Sequence, residues 1–190
     1  MKNFKTITIA LVVALTTLTA TAQDKKINTA KSTIAWVGKK VTGQHNGTIS
    51  FKEGILNFKG GKVTGGNFIV DMTTLTVSDL KAGEGKEKLE GHLKADEFFG
   101  TEKFPTSKLV FKTVTPAKTA GTYTVVADLT IKGITKPVTF DLVVAKTSAT
   151  AKVTIDRTKY GIEYGSKSFF EGIGDKAIYD EFDLTVNLQF

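Results

Sequence analysis

The sequence predicts an all-β protein, built as an antiparallel sheet that is either closed into a barrel or folded into a sandwich. Apolar and polar residues alternate in many runs, and successive side chains of a strand point to opposite faces. Each run therefore has one buried and one solvated face. Turn-forming residues, mostly glycine, separate the runs at the short intervals of hairpin-connected strands.

The alternating runs predict eight or nine strands in one domain. In chain order they are marked by Ile34/Trp36, Ile49/Phe51, Phe68/Val70/Met72, Leu109/Phe111, Tyr123 to Ile131, Val138 to Val144, Val153/Ile155 and Phe182 to Phe190. Glycine-containing turns are predicted at Lys52-Glu53-Gly54, Gly60-Gly61, Gly65-Gly66, Ala120-Gly121 and Lys132-Gly133.

One segment interrupts this pattern. Residues 83–100 predict a helix and a loop, because the run from Lys86 to Glu90 contains only good helix formers. Leu89 and Leu93 are four residues apart and would share one helix face. The sequence therefore predicts a short helical insertion between strands.

The first 22 residues have the layout of a secretory signal peptide. Lys2 and Lys5 precede an apolar run that is shorter than the ~20 residues of a membrane-spanning helix, and Ala20-Thr21-Ala22 offers a cleavage site. We expect cleavage near Ala22-Gln23, a mature domain of residues 23–190, and a periplasmic or secreted location.

Composition excludes several classes of function. The chain has no cysteine, so disulfides, thiol nucleophiles and thiolate metal sites are absent. The formal net charge is +7, but Arg157 is the only arginine and the lysines are spread along the chain. Solvated strand faces explain them better than nucleic-acid binding, which uses arginine and a basic stripe.

The sequence predicts neither catalytic nor metal-binding residues. Only His45 and His92 are present, far apart, and no G-x-S-x-G motif exposes a nucleophile. Gly60-Gly61-Lys62 and Gly83-Glu84-Gly85-Lys86 lack the spacing of a phosphate-binding loop. An envelope hydrolase remains the weakest alternative.

Thirteen phenylalanines raise the question of what fills the interior. An eight-stranded barrel either packs its interior with side chains or holds one small ligand. A second alternative is an outer-membrane barrel, since Phe190 ends an alternating strand. Lysines on the polar faces and a single tryptophan disfavour that alternative, because membrane barrels carry aromatic girdles.

Five strings, in order along nearly the whole mature chain, resemble the YceI family of secreted bacterial lipid- or polyisoprenoid-binding proteins. They are Ser32-Thr33-Ile34-Ala35-Trp36, the glycine-led strand Gly65 to Met72, the segment Leu89 to Phe99 with Phe104-Pro105-Thr106 after it, the hairpin Asp128 to Val138 and the turn Ile155 to Ile162. One departure is early, where many members carry a histidine and this chain has Val37-Gly38-Lys39-Lys40.

The resemblance implies an extended lipocalin-like antiparallel β-barrel of about eight strands, with a short helical insertion and a tunnel that takes a long apolar chain. It also implies a homodimer in many members, and it lowers the outer-membrane alternative further. The expected ligand is a polyisoprenoid, an isoprenoid quinone or a fatty-acid derivative, bound for carriage, storage or protection. No other cofactor, no metal and no stable membrane insertion are expected.

The candidate ligand contacts form two groups. Those expected along the apolar tunnel are Trp36, Phe51, Phe68, Leu89, Phe98, Phe99, Leu109, Phe111, Leu129, Phe140, Ile155 and Phe182. Those expected to meet the head group are His92, Arg157 and Tyr160.

Overall fold

Residues 22–190, which the computed structural model describes, form nine strands and one α-helix. The elements are β1 (Ala22–Lys26), β2 (Thr33–Lys40), β3 (Gly43–Lys59), β4 (Lys62–Val77), α1 (Lys86–Lys94), β5 (Thr106–Pro116), β6 (Thr122–Ile131), β7 (Ile134–Val144), β8 (Ser148–Asp156) and β9 (Ile178–Gln189). Two 3-10 turns, Arg157–Tyr160 and Gly174–Lys176, lie between β8 and β9. Residues 1–21 of the predicted signal peptide lie outside the described residues, and its last residue, Ala22, is the first residue of β1.

Eight of the strands close into an antiparallel barrel. Each strand from β4 to β9 pairs with the next, β9 pairs with β2, β2 with β3, and β3 with β4. β1 lies outside this circuit and pairs with the second half of β3, Ala22 opposite Lys59. The structure thus confirms the predicted barrel of about eight strands and excludes the sandwich.

The two ends of the barrel are built differently. We call the end that carries α1, the β2–β3 and β6–β7 turns and the 3-10 turn Arg157–Tyr160 the helix end. Here β7 and β8 have separated, since their ladder covers only Leu142–Val144 and Ala149–Ala151. The 3-10 turn contacts β7 and β9 at this end, and its Tyr160 is buried.

α1 confirms the predicted helical insertion. Leu89 and Leu93 are half-buried against the barrel core, as their spacing predicted. The Glu90 carboxylate accepts hydrogen bonds from Thr76 Oγ1 at 2.6 Å and Val77 N at 2.8 Å, which attach α1 to β4. These hydrogen bonds, that from Thr76 above all, lower the pKa of Glu90.

Two predicted turns are wrong, because their glycines lie inside long strands. Lys52-Glu53-Gly54 belongs to β3 and Gly65-Gly66 to β4. The β3–β4 register shifts between Phe51 and Glu53, which inserts an extra residue into β3. The buried positions of β3 accordingly change from odd to even numbers along the strand: Gly47, Ile49, Phe51, Gly54, Leu56 and Phe58.

The glycines in these strands make room for aromatic rings. A Cβ atom on Gly54 would lie 2.5 Å from a ring carbon of Phe68. A Cβ atom on Gly66 would lie 2.9 Å from Phe68 and 3.0 Å from Phe111. Close packing of rings across the barrel therefore explains these glycines better than chain reversal does.

Candidate functional site

A cavity of about 170 Å³ lies inside the barrel toward the helix end. That is many times the space that one water molecule needs. Its wall is almost entirely apolar and draws on β2, β3, β4, β6, β9 and the segment after α1. The deep part of the wall is formed by Ile34, Trp36, Ile49, Val70, Met72, Leu75, Leu129 and Leu184.

Four aromatic rings fill the barrel on the far side of this cavity. Phe51 lies 6.1 Å from Phe68, Phe68 lies 5.6 Å from Phe111, and Phe111 lies 5.9 Å from Phe140, measured between ring centroids. We call these four residues the aromatic plug. Phe51 is two residues beyond the cavity residue Ile49 on β3, in the direction away from the helix end. The barrel therefore has a hollow half and a filled half.

The structure distributes the twelve predicted tunnel residues between these halves. The five that line the cavity are Trp36, Phe98, Phe99, Leu129 and Phe182. The seven that do not are the aromatic plug Phe51, Phe68, Phe111 and Phe140, the half-buried Leu89 and Leu109, and the buried Ile155. Whether any of the twelve contacts a ligand stays a prediction.

Several cavity residues escaped the sequence analysis. Val70, Met72 and Leu184 lie on the predicted inner faces, and Leu93 lies one helical turn after Leu89. Alternation could find the face of each residue. It could not find the depth at which the barrel is hollow, which depends on where the aromatic plug sits.

Arg157 lines the cavity, and each of its three side-chain nitrogens donates to a backbone carbonyl oxygen. Its Nε donates to the carbonyl oxygen of Tyr179 at 3.1 Å, Nη1 to that of Ile162 at 2.8 Å, and Nη2 to that of Ile178 at 3.1 Å. Desolvation by burial lowers the pKa of Arg157, opposed by the carboxylate of Asp180, whose Oδ1 lies 3.7 Å from Nη2. The guanidinium thus attaches the 3-10 turn to the start of β9.

The other two head-group candidates lie outside the cavity wall. His92, on α1, is partly buried but does not line the cavity, and its Nδ1 lies 3.1 Å from Glu97 Oε1. Tyr160 is buried beside Ile155 and Ile162, and desolvation, followed by the charge of Asp156, raises the pKa of its phenol to about 12. The structure therefore brings only Arg157 of the three to the cavity.

The mouth carries polar residues that the sequence analysis missed. Lys39, Tyr179 and Glu181 line the cavity where β2 ends and β9 begins, and all three are exposed. The β2–β9 register shifts between Gly38 and Lys40, a kind of irregularity that re-aims side chains. Lys39 Nζ donates to Asp183 Oδ2 at 2.7 Å, and this hydrogen bond raises the pKa of Lys39.

Trp36 is held tightly at the side of the cavity. A Cβ atom on Gly47 of the neighbouring strand would lie 2.6 Å from Trp36 Cζ2 and 1.8 Å from the carbonyl oxygen of Thr76, so only glycine fits there. Among the described residues, Trp36 Nε1 and Asp180 Oδ1 are the buried side-chain polar atoms without a hydrogen-bond partner.

Within residues 22–190, no group of three or more histidines and carboxylates is arranged to hold a metal ion. His45, the other histidine, binds Asp79 Oδ2 through Nδ1 at 2.8 Å and does not line the cavity. In the same range, no helix combines the length and the apolar character needed to cross a bilayer.

Comparison with known proteins gives one family match. The model of the YceI-like domain matches residues 26–190. A UPF0312 protein of Staphylococcus aureus is 37% identical over 102 residues, which are 48% of this chain and 56% of the relative. One from Shewanella denitrificans is 36% identical over 87 residues, 46% of this chain and 42% of the relative. The chain thus spans about half the length of these curated relatives.

Two solved structures have the same fold. Burkholderia cenocepacia BcnA superposes with a TM-score of 0.69 at 20% identity, covering 85% of this chain and 98% of BcnA. A polyisoprenoid-binding domain from Saccharophagus degradans, described as implicated in plant cell wall breakdown, gives 0.57 at 13% identity, covering 86% and 97%. At these identities the likeness concerns the fold.

Proposed function

This chain belongs to the YceI family, and on that premise we propose that it binds a long-chain amphiphile, with the apolar tail inside the barrel and the head group at the mouth. The candidate ligands are a polyisoprenoid, an isoprenoid quinone or a fatty-acid derivative. The name of the Saccharophagus domain supports this class of ligand. The role is carriage, storage or protection of the amphiphile.

The observation that carries the proposal is the almost entirely apolar cavity whose charged lining residues all lie at the helix end. Trp36, Met72 and Leu184 in its wall expose no polar side-chain atom to a tail, since the Trp36 Nε1 atom is itself buried. Lys39 and Glu181 at the mouth are exposed and can meet a polar head group. Small-molecule sites commonly combine such a wall with a few polar groups that orient the ligand.

The aromatic plug sets how much of the tail is enclosed. Ile34 and Lys39 are five residues apart on β2, about 17 Å along the strand and about 13 Å along the barrel axis at the usual tilt. The cavity therefore takes one end of a long chain in the present conformation. Burial contributes about 0.8 kcal/mol for each enclosed methylene, and the gain is offset by the lost freedom of the tail.

A binding role agrees better with the site than catalysis does. Both histidines lie outside the cavity wall, so neither can serve as a general base there. The outer-membrane alternative would need apolar side chains on the outside of the barrel. The described strands have the opposite arrangement, with Phe51, Phe68 and Val125 inside and lysines and threonines outside.

We further propose that the protein works in the periplasm or outside the cell. The predicted signal peptide supports this location. Fractionation of cells that express the full chain, followed by mass determination of the N-terminus, tests it. A mature protein that begins near Gln23 in the periplasmic fraction is expected, and retention of residues 1–22 in the cytoplasm would contradict the proposal.

The central experiment is native mass spectrometry of residues 23–190 purified without detergent, with solvent extraction of any bound lipid. We expect a stoichiometric amphiphile, or uptake of a long-chain fatty acid or a quinone by an empty protein. A folded, empty protein that takes up neither compound would contradict the proposed function.

A further inference from the structure

The exposed large apolar residues gather at one end of the barrel. Within the described residues there are seven, and six lie at the helix end: Val41, Ile134, Tyr164, Phe169, Phe170 and Tyr179. Phe169 is 50% exposed and Phe170 49%. The seventh, Val143, is equally exposed at 50% but lies toward the opposite end, on β7. Phenylalanine is usually buried, so two adjacent exposed rings call for an explanation.

The two phenylalanines are presented by an ordered loop. We call residues 161–177 the rim loop. The backbone N–H groups of Phe169 and Phe170 both donate to the carbonyl oxygen of Ser166, at 3.3 and 3.0 Å, and Ser166 is fully buried. At its start, Arg157 Nη1 binds the carbonyl oxygen of Ile162. The backbone is therefore folded while both rings face solvent.

The rim loop is attached beside the mouth of the cavity. Ser168 Oγ donates to Asp180 Oδ2 at 2.5 Å, and Ile178 N donates to the carbonyl oxygen of Gly165 at 2.8 Å. Asp180 lies between Tyr179 and Glu181, both of which line the cavity. Phe169 thus directly follows Ser168, whose side chain is hydrogen-bonded to Asp180 at the mouth.

We propose that Phe169 and Phe170 insert reversibly into the interfacial layer of a lipid bilayer and hold the mouth against the membrane while a tail passes between bilayer and cavity. This inference rests on the proposed function. The exposed rings lie in a loop that is hydrogen-bonded to Asp180 at the mouth of an apolar cavity. Tyr164 in the same loop and Tyr179 at the mouth are also exposed, and tyrosine is enriched at membrane–water interfaces. A second copy seated here would cover the mouth.

The charges of the rim loop define the kind of contact. It carries Lys167 and Lys176 against Glu163, Glu171 and Asp175. Attraction to anionic head groups therefore contributes little, and insertion of apolar rings is the driving force. Membrane contact should accordingly change little with salt concentration.

The test compares F169S/F170S with V143S, a control that removes an equally exposed apolar side chain away from the mouth. Phosphatidylcholine vesicles that contain a fluorescent long-chain fatty acid are mixed with the protein. The rate at which the fatty acid moves from the vesicles to the protein is measured at low and high salt. The rate should rise with vesicle concentration. It should fall about tenfold or more in F169S/F170S, where two half-exposed rings are lost, and stay unchanged in V143S.

Ligand capacity is measured separately, with the same fatty acid added from ethanol and no vesicles. Full capacity of F169S/F170S with slow transfer supports the inference. The inference would be overturned by a transfer rate that does not depend on vesicle concentration, by equal transfer rates in all three proteins, or by loss of transfer at high salt. A dimer of the wild type that F169S/F170S abolishes would also overturn it. If the wild type binds neither a fatty acid nor a quinone, the proposed function fails, whereas flotation of the protein with plain vesicles still tests the membrane contact.

Discussion

The rings of Phe68 and Phe111 lie with their centroids 5.6 Å apart, directly over the backbone of Gly66. Phe68 lies within the ladder between β4 and β5, opposite Leu109, whereas Phe111 lies one residue beyond the last ladder pair, Asn67–Val110. Ring packing thus extends the contact between these two strands past the end of their backbone pairing. The same contact belongs to the aromatic plug, in the filled half of the barrel on the far side of the cavity.

Adding a methyl group at Gly66 should disturb this contact. G66A places a Cβ atom 2.9 Å from Phe68 and 3.0 Å from Phe111, so both rings must shift, and we expect a loss of about 1–3 kcal/mol in the free energy of unfolding. Urea denaturation measures it. G91A is the control, because its Cβ atom meets nothing within 4 Å and alanine favours the helix. Equal stability of G66A and the wild type would contradict the packing argument.

Filling the cavity should weaken binding without unfolding the barrel. Val70 is half-buried in the cavity wall, and V70F directs a ring into the hollow half. We expect ligand capacity to fall severalfold while the thermal midpoint stays near that of the wild type. V126F is the matched control, since Val126 lies between the buried Val125 and Ala127 and faces outward. Unchanged capacity in V70F would place the binding site elsewhere.

Affinity should depend on tail length up to the depth of the aromatic plug. A series of saturated fatty acids differing by one methylene should bind about fourfold more tightly per added group, which corresponds to about 0.8 kcal/mol. The gain should stop once the tail reaches Phe51 and Phe68. Titration calorimetry measures the series. A gain that continues to the longest chains would show that the plug opens, and no dependence on length would contradict burial of the tail.

Arg157 should act chiefly on stability. R157K keeps the charge but loses the fork that reaches the carbonyl oxygens of Ile162, Ile178 and Tyr179, so we expect a loss of about 2–3 kcal/mol in the free energy of unfolding. Affinity for a neutral and for an anionic amphiphile of equal length should then fall together. Unchanged stability with a selective loss for the anionic ligand would instead assign Arg157 to the head group.

Glu90 should make the attachment of α1 sensitive to acid. The pKa of Glu90 is lowered in the folded state, so its stabilising effect is complete above the ordinary glutamate pKa of about 4.3 and is lost as the pH falls through the lower folded-state pKa. E90Q should therefore be less stable than the wild type at neutral pH, and the difference should shrink in acid. Urea denaturation across this pH range measures both. E102Q, at an exposed position, is the control. A constant difference would contradict the role of Glu90.

Much of the barrel could be read from alternation, because the two faces of a strand experience different solvents. The runs around Tyr123–Ile131 and Phe182–Phe190 place β6 and β9 correctly. The turns predicted at Gly54 and Gly66 are wrong, because these glycines lie inside strands. What requires glycine there, an aromatic ring packed against the backbone from a neighbouring strand, leaves no local trace in the sequence.

The all-β class, eight or nine strands, the helical insertion and the family resemblance can be predicted from the sequence, since each depends on local pattern or on strings of neighbouring residues. Which inward-facing residues surround empty space is visible only in the folded barrel. Phe51 and Trp36 look alike in the alternation, yet Phe51 packs in the aromatic plug and Trp36 lines the cavity. The depth of a side chain along the barrel depends on strand register, on bulges and on what the opposite wall supplies. These are relations between residues far apart in the chain, which no local pattern encodes.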